Sequence, residues 1–105
     1  MDLGFWLEQS VFQTLQIWKS LNPVNRRISF WRDRRGNEVD FILEDRNELA
    51  AVEIKNSTRV LPSDCSGINA FRSTSGKGFG VREVVLHAGT DRCIVGENSF
   101  ALPFG

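Results

Sequence analysis

Two alternating segments, Glu38 to Leu43 and Leu49 to Lys55, are separated by the polar run Glu44, Asp45, Arg46, Asn47, Glu48. Each has the period-2 pattern of a β-strand, and the polar run between them reads as the turn of a hairpin. Directly opposed residues of an antiparallel pair share a face, and their numbers add to a constant fixed by the turn. A turn centred between Arg46 and Asn47 gives the constant 93, setting Asp40 against Glu53, Glu38 against Lys55, Phe41 against Val52 and Val39 against Ile54. One face is then expected to be apolar and the other to collect three carboxylates and an ammonium. A slip of one residue would set Val and Ile against charges, so the apolar match specifies the register independently of function.

The rest of the chain supplies a frame for this hairpin. Leu3, Leu7, Val11, Leu15 and Trp18 recur at helical spacing, with Phe5 and Phe12 widening the stripe and Asp2 placed as N-cap, which predicts a helix over 3–20. Asn22, Pro23 and Asn25 end it. Ile28, Phe30 and Trp31 begin an extended segment that turns at Arg34, Arg35, Gly36 and Asn37, completing a three-strand meander. Pro62 and Ser63 open a second, weaker helix over 64–73, on which Cys65, Ile68 and Phe71 share a face despite Gly67. Arg82 to His87 reads as a buried strand, and a last extended piece runs through Ile94, Val95 and Phe100. This order predicts a single α/β domain over 1–105, a mixed sheet flanked by helices, with an α+β sandwich as the alternative.

Composition narrows the function classes. The chain has 105 residues, with thirteen basic residues balancing thirteen acidic ones and a net charge of zero, so bulk attraction does not hold nucleic acid here. The distribution is uneven. Six basic residues and one acid lie between Lys19 and Arg35, and six acids and one base between Glu38 and Glu53. Cys65 and Cys93 form no CxxC and have no clustered His, so two reduced thiols are expected and neither zinc nor redox chemistry is supported. The absence of a basic leader and of a long apolar run gives a cytoplasmic expectation with no membrane partner. His87 is the sole histidine and closes a strand, which suits a hydrogen-bonded structural role. No Walker A loop is present, since Phe71 stands where Ser75-Gly76-Lys77-Gly78 would need its first glycine.

Close carboxylates repel, and a proton, a lysine or a divalent cation can hold them together. Two hard oxygen ligands, Asp40 and Glu53, suit Mg²⁺ or Mn²⁺, with the Ile54 carbonyl as a further ligand and Lys55 placed to orient a nucleophilic water. That is equipment for phosphodiester hydrolysis. The same spacing also suits a cross-strand charge ladder on a solvated sheet face. Arg32, Arg34 and Arg35, with Arg26 and Arg27, are candidates for a phosphate-tracking rim with Trp31 stacking on a base, and Ser57 and Arg59 are weaker candidates; solvated turn arginines and a core tryptophan are the alternative.

Asp40, twelve residues, then Glu53-Ile54-Lys55 resembles the PD-(D/E)XK nuclease signature. Nearly the whole chain resembles the C-terminal domain of unknown function 4143 that follows AAA+ ATPase modules in prokaryotic proteins. The similarity runs through Gly4 and Glu8, Trp31-Arg32-Asp33, Gly36-Asn37-Glu38-Val39-Asp40-Phe41, Val52-Glu53-Ile54-Lys55-Asn56-Ser57 and Ala101-Leu102-Pro103-Phe104. The resemblance implies a restriction-endonuclease-like αβββαβ core. It also implies Asp40 and Glu53 as metal ligands, Lys55 as catalytic lysine and Glu8 as the first-helix acid, a second-metal or water-mediated ligand. The expected activity is metal-dependent hydrolysis of nucleic acid, DNA ahead of RNA; the alternative is a catalytically silent module of the same fold that binds nucleic acid or regulates an AAA+ ATPase partner. A homodimer is left open.

Overall fold

The computed structural model describes residues 3–55, 66–74, 81–89, 93–96 and 99–103. Helix α1 (Leu3–Ser20) is followed by strands β1 (Arg26–Arg32), β2 (Glu38–Asp45) and β3 (Glu48–Lys55), helix α2 (Ser66–Thr74), and strands β4 (Val81–His87), β5 (Cys93–Gly96) and β6 (Ser99–Pro103). The strands form one mixed sheet in the order β1-β2-β3-β4-β6-β5. The first three pair antiparallel, β4 adds parallel to β3, β6 parallel to β4, and β5 antiparallel to β6. This is the α/β arrangement of helix, antiparallel meander, helix and further strands that the sequence predicts.

Helix α1 spans the predicted range, and its stripe of Leu7, Val11 and Leu15 packs on Phe41, Val52 and Ile54. It closes with i→i−3 bonds from the amides of Leu21 and Asn22 to the carbonyls of Trp18 and Lys19. Arg26 then fastens the helix end to the hairpin: its guanidinium donates to the Trp18 carbonyl at 2.8 Å, pairs with Asp45 at 3.1 Å and lies 4.9 Å from the centroid of the Trp18 ring. Helix α2 covers the other face, where Ile68 and Phe71 pack with Val39, Ile42, Ala51, Val81 and Val85. The predicted placements of Asp2, Asp64 and Cys65 lie outside the described residues.

The β2–β3 register carries the constant 93 through Asp45↔Glu48, Leu43↔Ala50 and Phe41↔Val52. The strands run further into the polar stretch than predicted, leaving Arg46 and Asn47 as a two-residue turn with Arg46 at φ 60°. Two expectations are corrected. Val39 does not share a face with Phe41. In the β1–β2 ladder Ser29 opposes Ile42 and Trp31 opposes Val39, so Asp40 and Phe41 together face the single residue Phe30. This β-bulge reverses the alternation: Val39 and Ile42 point to α2, whereas Phe41 and Leu43 point to α1. Both faces are thus apolar, and the charges gather at one end of the hairpin rather than along a face. The last extended piece is two strands, because β5 and β6 reverse direction to pair with each other.

Candidate active site

The β2–β3 ladder stops at Phe41↔Val52, just before the carboxylates. Beyond it, the Ile54 N–H donates to Asp40 Oδ2 at 2.8 Å, so a side chain takes the place of a strand carbonyl. The bulge at Asp40–Phe41 gives that substitution its geometric cause, since an extra residue locally disrupts the ladder. In an extended strand, a residue's N–H and C=O point to the same neighbour, so the Ile54 carbonyl faces the gap between β2 and β3 as well.

Glu53 lies beside Asp40 in this gap. Burial pushes its carboxyl up to about 9, reinforced by a hydrogen bond with Asp40 and by the Asp40 and Glu38 charges, and opposed by Lys55. Glu53 therefore keeps its proton at neutral pH and is hydrogen-bonded to Asp40. Lys55, half-buried two residues along β3, is level with His87 on the parallel strand β4. His87 is buried and accepts the Gly89 N–H at Nδ1 at 3.0 Å, which leaves its ring proton on Nε2. All these groups sit at the carboxyl ends of β3 and β4, the end at which open α/β sheets receive ligands.

The other predicted residues are distributed around this pair. Glu38 meets Arg32 instead of Lys55, at 3.1 Å, because β1 supplies its ladder partner where β3 has separated. Glu8 is exposed on α1 and is not brought to the pair. Val52 and Ile54 point to α1, so Glu53 and Lys55, which alternate with them, project to the α2 side of the sheet. Arg34 and Arg35 are exposed on a turn built by Asp33. The Asp33 carboxylate accepts the backbone N–H of Arg35 and Asn37 and the Asn37 side-chain amide, each at 2.9 Å, with Gly36 at φ 88°. These bonds, the Asn37 side chain foremost, hold the Asp33 carboxyl below its ordinary value. Trp31 is partly buried against the α2-side core, edge-on to Phe71 with ring centroids 5.6 Å apart. Ser57 and Arg59 lie outside the described residues.

A hard divalent cation fits the donor set. The Asp40–Glu53 pair holds a proton where opposite charge is needed, and the Ile54 carbonyl adds a neutral oxygen facing the same gap. Among the described residues no group of three His, Cys, Asp or Glu side chains forms a protein cage.

Sequence reasoning missed three features here. Gly67 in α2 has no room for a Cβ, which would fall on the Glu38 carbonyl oxygen. This close approach seats the start of α2 on the start of β2. Phe30, opposite the bulge, is 75% exposed, and its hydrophobicity alone argued for burial. Glu83, buried on β4, meets Arg72 of α2 at 2.8 Å; the same Arg72 nitrogen donates to the Val81 carbonyl at 3.0 Å, so the approach to Glu83 is ionic in character. Only the alternation of Val81, Glu83 and Val85 could have hinted at an acid on a buried face.

Fold and site define an α/β domain with a hydrogen-bonded carboxylate pair and a lysine at the carboxyl end of its parallel strands. Residues 3–105 match one family, and the chain belongs to it: Domain of unknown function (DUF4143). Comparison with curated proteins and with solved structures gives no match. No helix among the described residues is long and apolar enough to cross a membrane.

Proposed function

We propose that this is a metal-dependent nuclease domain of PD-(D/E)XK type that hydrolyses phosphodiester bonds. The observation that carries the reading is the Asp40–Glu53 pair held in the opened end of a hairpin with Lys55 two residues on. Bound Mg²⁺ or Mn²⁺ would acidify a water and neutralise charge developing on the phosphoryl oxygens. Asp40 and Glu53 would hold the ion once the Glu53 proton is released, and the Ile54 N–H keeps Asp40 in place by occupying one of its oxygens. The Ile54 carbonyl would offer a further oxygen. Lys55 orients the attacking water and offsets negative charge at the site. The partner is nucleic acid, DNA ahead of RNA.

A second reading has its own support: no third acid joins the pair among the described residues, with Glu8 on the opposite side of the sheet. A silent module of the same fold, binding nucleic acid or regulating an AAA+ ATPase partner, needs no complete catalytic set.

The test is cleavage of single-stranded, duplex and branched DNA and of RNA with Mg²⁺, Mn²⁺ or chelator. The nuclease reading expects metal-dependent products, reduced about 100-fold or more in Lys55→Ala and Asp40→Asn. Products insensitive to chelator and to both substitutions overturn it. A folded protein that binds the cation and cleaves nothing leaves the silent module.

A further inference from the structure

Strand β1 is an edge of the sheet and pairs, among the described strands, with β2 alone. The Arg46 N–H donates to the Asn25 carbonyl at 3.3 Å and the Asp33 N–H to the Asn37 carbonyl at 2.9 Å. Backbone groups alternate between the two sides of a strand, so from these ends Arg27, Ser29 and Trp31 turn theirs to β2. Arg26, Ile28, Phe30 and Arg32 turn theirs to the open edge. The Arg26 N–H is already taken by the Asn22 carbonyl at 3.1 Å. The row that is left consists of Ile28, Phe30 and Arg32, and Phe30 is its centre.

Proteins blunt an open edge with Pro, Lys or a very short strand, because unpaired N–H and C=O groups are a template for another chain. β1 carries neither Pro nor Lys, and the middle of its edge is an aromatic ring left in solvent. Its arginines are mostly neutralised, Arg26 by Asp45 and Arg32 by Glu38. Arg27 is exposed and makes no ion pair among the described residues. Ile28 and Phe30 project to the α1 side of the sheet, and Arg27, Ser29 and Trp31, which alternate with them, to the α2 side.

We propose that two copies of this chain pair through β1, antiparallel about a two-fold axis at Phe30, so that one sheet continues across both. Opposed residue numbers then add to 60, setting Phe30 against Phe30 of the second copy and Ile28 against Arg32 of the second copy. Each of these pairs exchanges both N–H···O bonds. On the α2 side the same register sets Arg27 across from Asp33 of the second copy, which gives the unpaired cation an acid, twice by symmetry. A slip to a sum of 58 would oppose Arg26 to Arg32 and need the N–H that Asn22 holds. With zero net charge, the copies carry no general repulsion to overcome. One strand per copy is a small interface, so the association is reversible and follows concentration. It draws nothing from the nuclease reading.

The experiment is sedimentation velocity from about 1 to about 200 µM, with amide hydrogen exchange measured at both extremes. The sedimenting mass should rise from one chain to two. Exchange at the Ile28, Phe30 and Arg32 N–H groups should slow about tenfold or more at the high concentration, while Ser29 and Trp31, already bonded to β2, stay as they are. Phe30→Lys places two ammonium groups against each other at the axis and should abolish the dimer with the circular dichroism of the fold unchanged; Phe30→Trp should retain it. Arg27→Glu, which opposes an acid to Asp33 of the second copy, should weaken dimerisation about tenfold. A monomer at every concentration, a dimer indifferent to Phe30→Lys, or a dimer that leaves the three amides unprotected overturns the proposal. Protection of those amides by nucleic acid or by another protein, in a chain that stays monomeric, assigns the edge to that partner and overturns it as well. None of these readouts involves cleavage, so their failure leaves the nuclease reading where it stands.

Discussion

Asp40 accepts the backbone N–H of Ile54 at 2.8 Å, at the point where the β2–β3 ladder has ended. One carboxylate oxygen thereby does the work of a strand carbonyl. Asp40 is fixed by the backbone that carries Glu53 and Lys55, so the relative positions of the three groups follow from main-chain geometry.

The raised Glu53 carboxyl makes stability depend on pH. It titrates near 9 in the fold against an ordinary 4.5, so between those values the folded protein holds the extra proton. The contribution is fully present below about 4.5 and is lost as pH rises through about 9. The Tm of metal-free protein should fall from weakly acid to alkaline pH, and Glu53→Gln should flatten that slope. Parallel wild-type and Glu53→Gln profiles would refute the proton held by Glu53.

Cation binding should be coupled to proton release. Loading Mg²⁺ at neutral pH should expel about one proton per ion, measured by calorimetry in buffers of differing ionisation enthalpy. Affinity should rise with pH, and Asp40→Asn should abolish both binding and release. Tight binding with no proton release would place the ion elsewhere.

Gly67→Ala should destabilise the domain even though alanine favours helix by about 1 kcal/mol. The added Cβ meets the Glu38 carbonyl oxygen, a backbone atom that cannot rotate away. A net loss of about 1–3 kcal/mol in denaturant unfolding is expected. Unchanged or increased stability would show that α2 does not sit so closely on β2.

Arg72→Ala removes the cation facing buried Glu83. Breaking a fully buried ion pair costs about 3–5 kcal/mol; Arg72 is 40% exposed, so water screens the contact and about 2–3 kcal/mol is expected. Adding Glu83→Gln should recover much of it, because the buried charge that faced Arg72 is gone. An additive double variant would argue against coupling.

Much of the frame was legible because its signals are local. The 3.6-residue stripe of α1 gave its range, and the match of Phe41 to Val52 around a polar turn gave the β2–β3 register. The same local reasoning failed for Val39, since a bulge is a property of the β1–β2 pairing and leaves no trace in the alternation of β2 alone. It failed for the last strands as well, though Gly96 and Asn98 are turn formers that could have divided them.

Asp40, Glu53 and Lys55 fall at one end of a hairpin on local grounds alone, because side-chain periodicity and a short turn leave the chain one register that buries most of its valines and isoleucines. Tertiary structure alone decided which face each residue serves. Helix α1 docks on the side of Val52 and Ile54, which sends Glu8 to the far side of the sheet from Glu53, while the bulge ends the ladder at the carboxylates and leaves Phe30 in solvent opposite them. Those outcomes depend on contacts between segments distant in the chain, and the free energy of such packing is written in no single segment.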